Sequence, residues 1–177
     1  MSERLLVDMD GVLADTIGGA FDYILYNHGV DLAHEDISEY WFTGHHAKPY
    51  ILEAFRTKGF YTDLDVITGA VRAINRLRSE FDVVVCSAPI QGAEYCEEEK
   101  RDWLEKHWDS EFAENAIMTQ DKTLVDGKVL IEDNPYIGDG PWQPLLFDQA
   151  WNRDSSLPRM YGWHDLGIVR RMMDGRL

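Results

Sequence analysis

Asp8 and Asp10 close a short apolar run, Leu5-Leu6-Val7, and stand two residues apart with Met9 between them. A run of this kind, bounded by Arg4, predicts a short buried strand that ends in a loop. If the extended geometry continues through Met9, the two carboxylates project to the same side and converge on one point. Like charges that close repel, and a hard cation with oxygen ligands such as Mg²⁺ is the compensation such a pair invites. Gly11 lets the backbone leave in a conformation that a Cβ would obstruct. An EF-hand loop is excluded, because it needs its Gly at the sixth position, whereas Gly11 is fourth from Asp8. An ordinary acidic turn is the competing reading of the pair.

Three more polar tips follow apolar runs. Ser87 follows Asp82-Val83-Val84-Val85-Cys86, Lys122 lies just past Ala116-Ile117-Met118, and Glu132-Asp133 follow Val129-Leu130-Ile131. Acids from the first and fourth runs could share a divalent cation, with Ser87 and Lys122 holding an anion against it. Each has a plain alternative: Ser87 as a cap before Pro89, Lys122 as a solvated cation, Glu132-Asp133 as a turn before Asn134-Pro135. All four coinciding by chance is much less expected than any one.

The elements that must position these residues are legible as a pattern. Ile17, Ala20, Phe21, Ile24 and Leu25 recur at helical spacing up to Gly29. Residues 30–61 are rich in aromatics and histidines, with a helix beginning at Pro49 and stopping near Gly59 and no strand pattern, so they read as a helical insertion or lid. Thr68 is placed to cap a helix bearing Val71, Ile74 and Leu77. Glu94 to Trp108 reads as a charged helix with Trp103 and Leu104 inward and Glu97-Glu98-Glu99 as a solvated face. Leu145-Leu146-Phe147 is a fifth strand, and a last helix runs from about His164 to Asp174. His45 and His46 are adjacent and would point apart on a helix, which suits surface or hinge residues better than a zinc site. Strands alternating with helices predict an α/β fold: a doubly wound, mainly parallel, five-stranded Rossmann-like sheet with ligands at the carboxyl ends of its strands. Residues 1–16 and 65–177 would form the core, and 17–64 a small helical cap inserted after the first strand.

At 177 residues with 17 basic and 32 acidic side chains, the formal charge is −15. That charge repels phosphate backbones, which argues against nucleic-acid polymers and anionic membranes as partners. The first residues form too short an apolar stretch for a signal peptide, and a cytoplasmic protein is the expectation. Cys86 and Cys96 are too few for a disulfide framework and match no zinc spacing; Cys86 reads as a buried thiol.

In order along the chain, Asp8-Met9-Asp10-Gly11-Val12, Cys86-Ser87-Ala88-Pro89, Lys122 and Ile131-Glu132-Asp133-Asn134 resemble the four motifs of the haloacid dehalogenase superfamily of phosphotransferases. Within it the chain resembles the 5′(3′)-deoxyribonucleotidases. Leu6 to Asp15, Tyr40-Trp41, Phe60 to Val71, Tyr95-Cys96 and Gln120-Asp121-Lys122-Thr123 carry that likeness, which spans Leu5 to about Trp163.

The resemblance implies a Mg²⁺-dependent phosphatase acting on deoxynucleoside monophosphates. Asp8 would be the nucleophile, forming an aspartyl phosphate, and Asp10 the general acid and then base. Asp8, the Asp10 backbone carbonyl and Asp133 would hold the metal, with Glu132 in a role through water. Ser87, Ala88 and Lys122 would bind phosphate, and Tyr40, Trp41 and Phe55 the base. Two departures stand out. Glu132 replaces an aspartate of the relatives, and Thr16 and Phe55 stand where relatives carry an aromatic and a Trp. Other readings are a phosphatase of another small phosphomonoester, such as a sugar phosphate, and a catalytically silent binding protein with the same fold. The partner is a small nucleotide in the favoured reading, and a homodimer is left open.

Overall fold

Leu5, Val7, Val83, Val85, Val129 and Ile131 face one side of a sheet, and Leu6, Val84, Cys86 and Leu130 face the other. This alternation is the period of two that an extended chain imposes, with both faces buried. The computed structural model describes residues 3–40, 42 and 44–176, so Trp41 lies outside the described residues.

The strands are β1 (Arg4–Val7), β2 (Asp82–Ser87), β3 (Ile117–Met118), β4 (Val129–Glu132), β5 (Gln143–Phe147) and β6 (Arg159–Met160). They form one sheet in the order β3-β2-β1-β4-β5-β6, every pair parallel. This is the doubly wound order whose reversal between β1 and β4 opens a crevice at the carboxyl ends. The sheet has six strands rather than the five expected. The sixth pairs only Arg159 and Met160 with Leu146 and Phe147, too few residues to give a periodic signal.

The helices are α1 (Thr16–His28), α2 (Lys48–Arg56), α3 (Ala70–Arg78), α4 (Cys96–His107), α5 (Ser110–Glu114) and α6 (Leu166–Met173). Gly29 ends α1 at φ 65°, its N–H bonded to Leu25 O at 3.0 Å, as the sequence predicts. Thr68 does not cap α3; Gly69 holds the N-cap position at φ 89° with no side-chain cap. Helices α3 to α6 pack on the face of Val7, Val85 and Ile131. The other face is covered from loops, by Trp142 with Val125 and Ile137.

A second apolar cluster joins Ile17, Phe21 and Ile24 of α1 to Ile51 and Ala54 of α2, together with Ile37 and Trp151. A nine-residue helix such as α2 is marginal alone, so its persistence rests on this burial, about 1.5–3 kcal/mol for each large side chain. Glu99 joins the segment leaving α2 to the core: it is buried and accepts from Gly59 N at 2.6 Å and Tyr61 N at 3.3 Å. Of the expected solvated face, only Glu97 and Glu98 are exposed.

Candidate active site

Parallel register brings the first two acids together. Asp8 N donates to Ile131 O at 2.8 Å, and Val7 pairs with Ile131, so Asp8 and Glu132 are neighbours at the strand tips. Two-residue periodicity from Leu6 and Leu130 turns both toward the same face. Asp133 completes the group, with carboxylate oxygens of Asp8, Glu132 and Asp133 lying within 4.8 Å of one another and all three residues buried. Lys122, from the single turn after β3, enters this cluster: Nζ lies 2.8 Å from Asp8 Oδ1 and 2.6 Å from Glu132 Oε2. Glu132 Oε1 accepts from Asp133 N at 3.1 Å and Asn134 N at 3.2 Å, so both its oxygens are committed.

Three carboxylates against one ammonium leave surplus negative charge where water cannot screen it. Burial first, then Glu132, pushes the Asp8 carboxyl up to about 7 against the opposing pull of Lys122. Burial, with Glu132 and Asp8, also raises Asp133 well above the usual carboxylate range. Glu132 is held below its ordinary value by Lys122 and its hydrogen bonds, although burial alone would raise it. The two carboxylates raised against themselves are those a divalent cation would relieve.

Asp10 does not join this cluster. The chain leaves the strand directly after Val7: Val12, Leu13 and Ala14 N–H all donate to Met9 O, and Gly11 adopts φ 66°. The extended geometry therefore does not persist through Met9, and the two aspartates part. The Asp10 carboxylate accepts from Thr16 Oγ1 at 2.9 Å and pairs with Lys100, whose Nζ also donates to Ser87 Oγ at 2.9 Å. A Cβ at Gly11 would strike the Asp133 carboxylate, which sets these two loops close enough to share a ligand.

Lys100 lies outside the four motifs that the sequence singles out. It is fully buried, and the signal was present: Cys96, Glu99, Lys100, Trp103 and Leu104 follow one helical stripe, and all are buried. A second omission is the loop after β5. Gln149 Nε2 donates to Gly11 O at 2.6 Å, and Asn152 Nδ2 donates to Asp133 O at 2.9 Å and Phe147 O at 2.8 Å. These side chains fix the backbone of both acid-bearing loops, and no local motif announces them. His45 and His46 lie at the surface in a loop, in keeping with the surface or hinge reading, and with no helix to turn them apart their rings stack at 4.6 Å.

A cleft of about 510 Å³ adjoins this site, with Asp10, Gly11 and Asp133 among the residues that line it. Tyr40, Phe55 and Trp151 supply aromatic walls, and Ala88 lies on the rim contributed by the loop after β2. Burial, followed by the charges of Asp133, Glu132 and Asp8, drives the Tyr40 phenol far above its ordinary range, so this ring lies close to the acids. Ser87, expected from the sequence to bind phosphate, is fully buried, and its hydroxyl accepts from Lys100 Nζ. Among the described residues no helix is long and apolar enough to cross a membrane.

The family model described as 5′ nucleotidase, deoxy (pyrimidine), cytosolic type C protein matches residues 2–173. Human mitochondrial 5′(3′)-deoxyribonucleotidase is 34% identical over 92% of this chain and 79% of its own length. The human cytosolic-type 5′(3′)-deoxyribonucleotidase is 31% identical, covering 93% and 90% of the two chains. A putative 5′(3′)-deoxyribonucleotidase of Bordetella bronchiseptica is 33% identical over 91% of each. Among solved structures, a putative haloacid dehalogenase-like hydrolase from Burkholderia xenovorans superposes with TM-score 0.57 at 14% identity, covering 96% of this chain and 97% of that one. The putative hydrolase YfnB from Bacillus subtilis, bound to magnesium, gives 0.56 at 11% identity, over 95% and 98%. With the family model matching residues 2–173, relatives 31–34% identical over nine-tenths of the chain, and the fold of haloacid dehalogenase-like hydrolases, the protein belongs to the 5′(3′)-deoxyribonucleotidase family.

Proposed function

We propose that this protein is a Mg²⁺-dependent phosphatase that removes phosphate from deoxynucleoside monophosphates through an aspartyl-phosphate intermediate on Asp8. The observation that carries this reading is a buried group of three carboxylates and one lysine opening beside an aromatic-walled cleft. The donor set fits a hard divalent cation, since all its ligands are oxygens and its charge is unbalanced without one. Asp8, Asp133 and the Asp10 carbonyl would hold it, and bound Mg²⁺ would neutralise charge on the transferring phosphoryl group.

In the first step an Asp8 carboxylate oxygen forms a bond to phosphorus as the bond from phosphorus to the sugar oxygen breaks. The electron pair leaves with that oxygen, which takes a proton from Asp10. Asp10, now a carboxylate, removes a proton from the water that attacks the aspartyl phosphate, restoring Asp8 and releasing inorganic phosphate. Lys122, which lies against Asp8, would bind the phosphoryl oxygens with Ser87 and the Ala88 backbone N–H. Glu132 serves as the anchor of Lys122 rather than as a ligand, which accommodates a glutamate where relatives have aspartate. The segment 17–64 is the cap, and its Tyr40, Trp41 and Phe55 offer faces on which a base stacks.

The test is phosphate release with Mg²⁺ and with EDTA across deoxy- and ribonucleoside monophosphates, sugar phosphates and an aryl phosphate. EDTA-sensitive turnover fastest on deoxynucleotides is expected. Turnover without nucleotide preference would overturn the substrate, and no turnover would overturn the activity.

A further inference from the structure

We propose that Lys100 is a positioning residue that aligns Asp10 for proton transfer to the leaving-group oxygen, acting from behind the site without touching substrate. The inference rests on the phosphatase reading above and assigns a role to a residue outside its four motifs. Lys100 has no exposed surface and does not line the cleft, whereas its partner Asp10 does. Its ammonium pairs with Asp10 Oδ2 and donates to Ser87 Oγ at 2.9 Å, tying the loop after β1 to the tip of β2. The Tyr61 ring lies below it, 5.0 Å from Nζ to the centroid, an electron-rich face that suits a buried cation.

A buried ammonium is costly unless its donors are used, so this one has little freedom to move. Thr16 Oγ1 holds the other Asp10 oxygen, Oδ1, at 2.9 Å, and the two contacts together fix the plane of the carboxyl group. A proton donor must lie within about 3 Å of the oxygen it serves, so a freely rotating carboxyl would lose most of its effect. Glu99, one residue earlier on α4, accepts from Gly59 and Tyr61 N–H, so the same helical turn also fixes the chain returning from the cap.

A purely structural salt bridge makes a different prediction, and the leaving group separates the two. A sugar alkoxide needs the proton from Asp10 as the bond to phosphorus breaks, whereas 4-nitrophenolate departs unprotonated. Initial rates for Lys100→Met, Lys100→Arg and wild type are to be measured with Mg²⁺ on a deoxynucleoside 5′-monophosphate and on 4-nitrophenyl phosphate, alongside thermal melting. Lys100→Met is expected to lose about a hundredfold in kcat/KM on the nucleotide, the range of general-acid effects, and less than about tenfold on the aryl ester, because kcat/KM reports the steps up to departure of the leaving group and not the later hydrolysis that Asp10 also assists. Lys100→Arg, with the charge kept and the geometry altered, should show the same bias at smaller size.

Equal losses in kcat/KM on both esters with kcat lowered would overturn the proposal in favour of a structural role, and a raised KM on both with kcat unchanged would overturn it in favour of phosphate binding. If Lys100→Met does not fold, the Lys100→Arg ratio decides between the same outcomes. Wild-type protein inactive on both esters would overturn the phosphatase reading and this inference with it; an active wild type with unbiased variants overturns this inference alone.

Discussion

Two aspartate–lysine pairs stand side by side at the end of this sheet, and they are built on opposite principles. Asp8–Lys122 sits inside a group of three buried carboxylates, so one ammonium leaves it short of positive charge. Asp10–Lys100 sets one acid against one lysine, with the hydroxyls of Thr16 and Ser87 completing its hydrogen bonds. The first is an incomplete site that an outside cation would finish. The second is complete and serves orientation.

Breaking the first pair at its carboxylate should have the largest effect. Asp8→Asn should lower turnover by about 10⁴-fold or more, as loss of a nucleophile does, while leaving the metal-free protein at least as stable as wild type. Phosphate release and a melting curve check both halves; retained turnover would exclude a covalent intermediate on Asp8. Lys122→Met removes the ammonium paired with Asp8 and Glu132 and should destabilise the metal-free fold by about 3 kcal/mol, measured by denaturant unfolding. Stability of that variant equal to wild type would show that the lysine matters for substrate alone.

Acidity sharpens the contrast. Asp8 has its carboxyl raised to about 7 in the fold, above the ordinary 3.8 it has when unfolded, so the folded state binds more protons between these values. Its contribution to stability is therefore present below about pH 4 and is lost as pH rises through 7. Metal-free protein should melt at a lower temperature at pH 8 than at pH 6, and the stabilisation by Mg²⁺ should grow over the same interval. Lys122→Met, which removes the ammonium that opposes this shift, should steepen the dependence.

Smaller effects come from residues that hold the site from outside. Asn152→Ala frees Asp133 O from its hydrogen bond and should weaken Mg²⁺ binding about tenfold, seen by calorimetric titration, with Asp10 undisturbed. Phe55→Ala should raise KM for nucleotides several-fold and leave an aryl phosphate unaffected, a loss of about 1 kcal/mol of stacking. Equal changes for both substrates would place Phe55 in the cap's packing instead.

The difference between the two pairs also marks what the sequence could disclose. Asp8, Lys122, Glu132 and Asp133 sit at or just beyond the tips of apolar runs, and parallel pairing brings such tips together wherever a doubly wound sheet forms. Lys100 lies mid-helix among charged neighbours, and only its place on the stripe of Trp103 and Leu104 marks it as inward. Gln149 and Asn152 act through backbone carbonyls of distant loops, a relation that no spacing within their own segment encodes. The parting of Asp8 and Asp10 was hidden for a third reason: a turn gathered on Met9 O overrides the extended geometry that a two-residue spacing suggests. The two-residue β6 was too short to read.

Trp151 carries a consequence for engineering. It belongs to the apolar cluster of α1 and α2, yet it rides on the loop whose Gln149 and Asn152 brace the acid-bearing turns. The segment 17–64 is thus not a free-standing cassette. A chimera that exchanged it alone would set a foreign core against Trp151 and pass any misfit into the loops that carry Gly11 and Asp133. Transplanting residues 148–152 with it would keep the joint matched, so new substrate preferences are best sought by moving both pieces together.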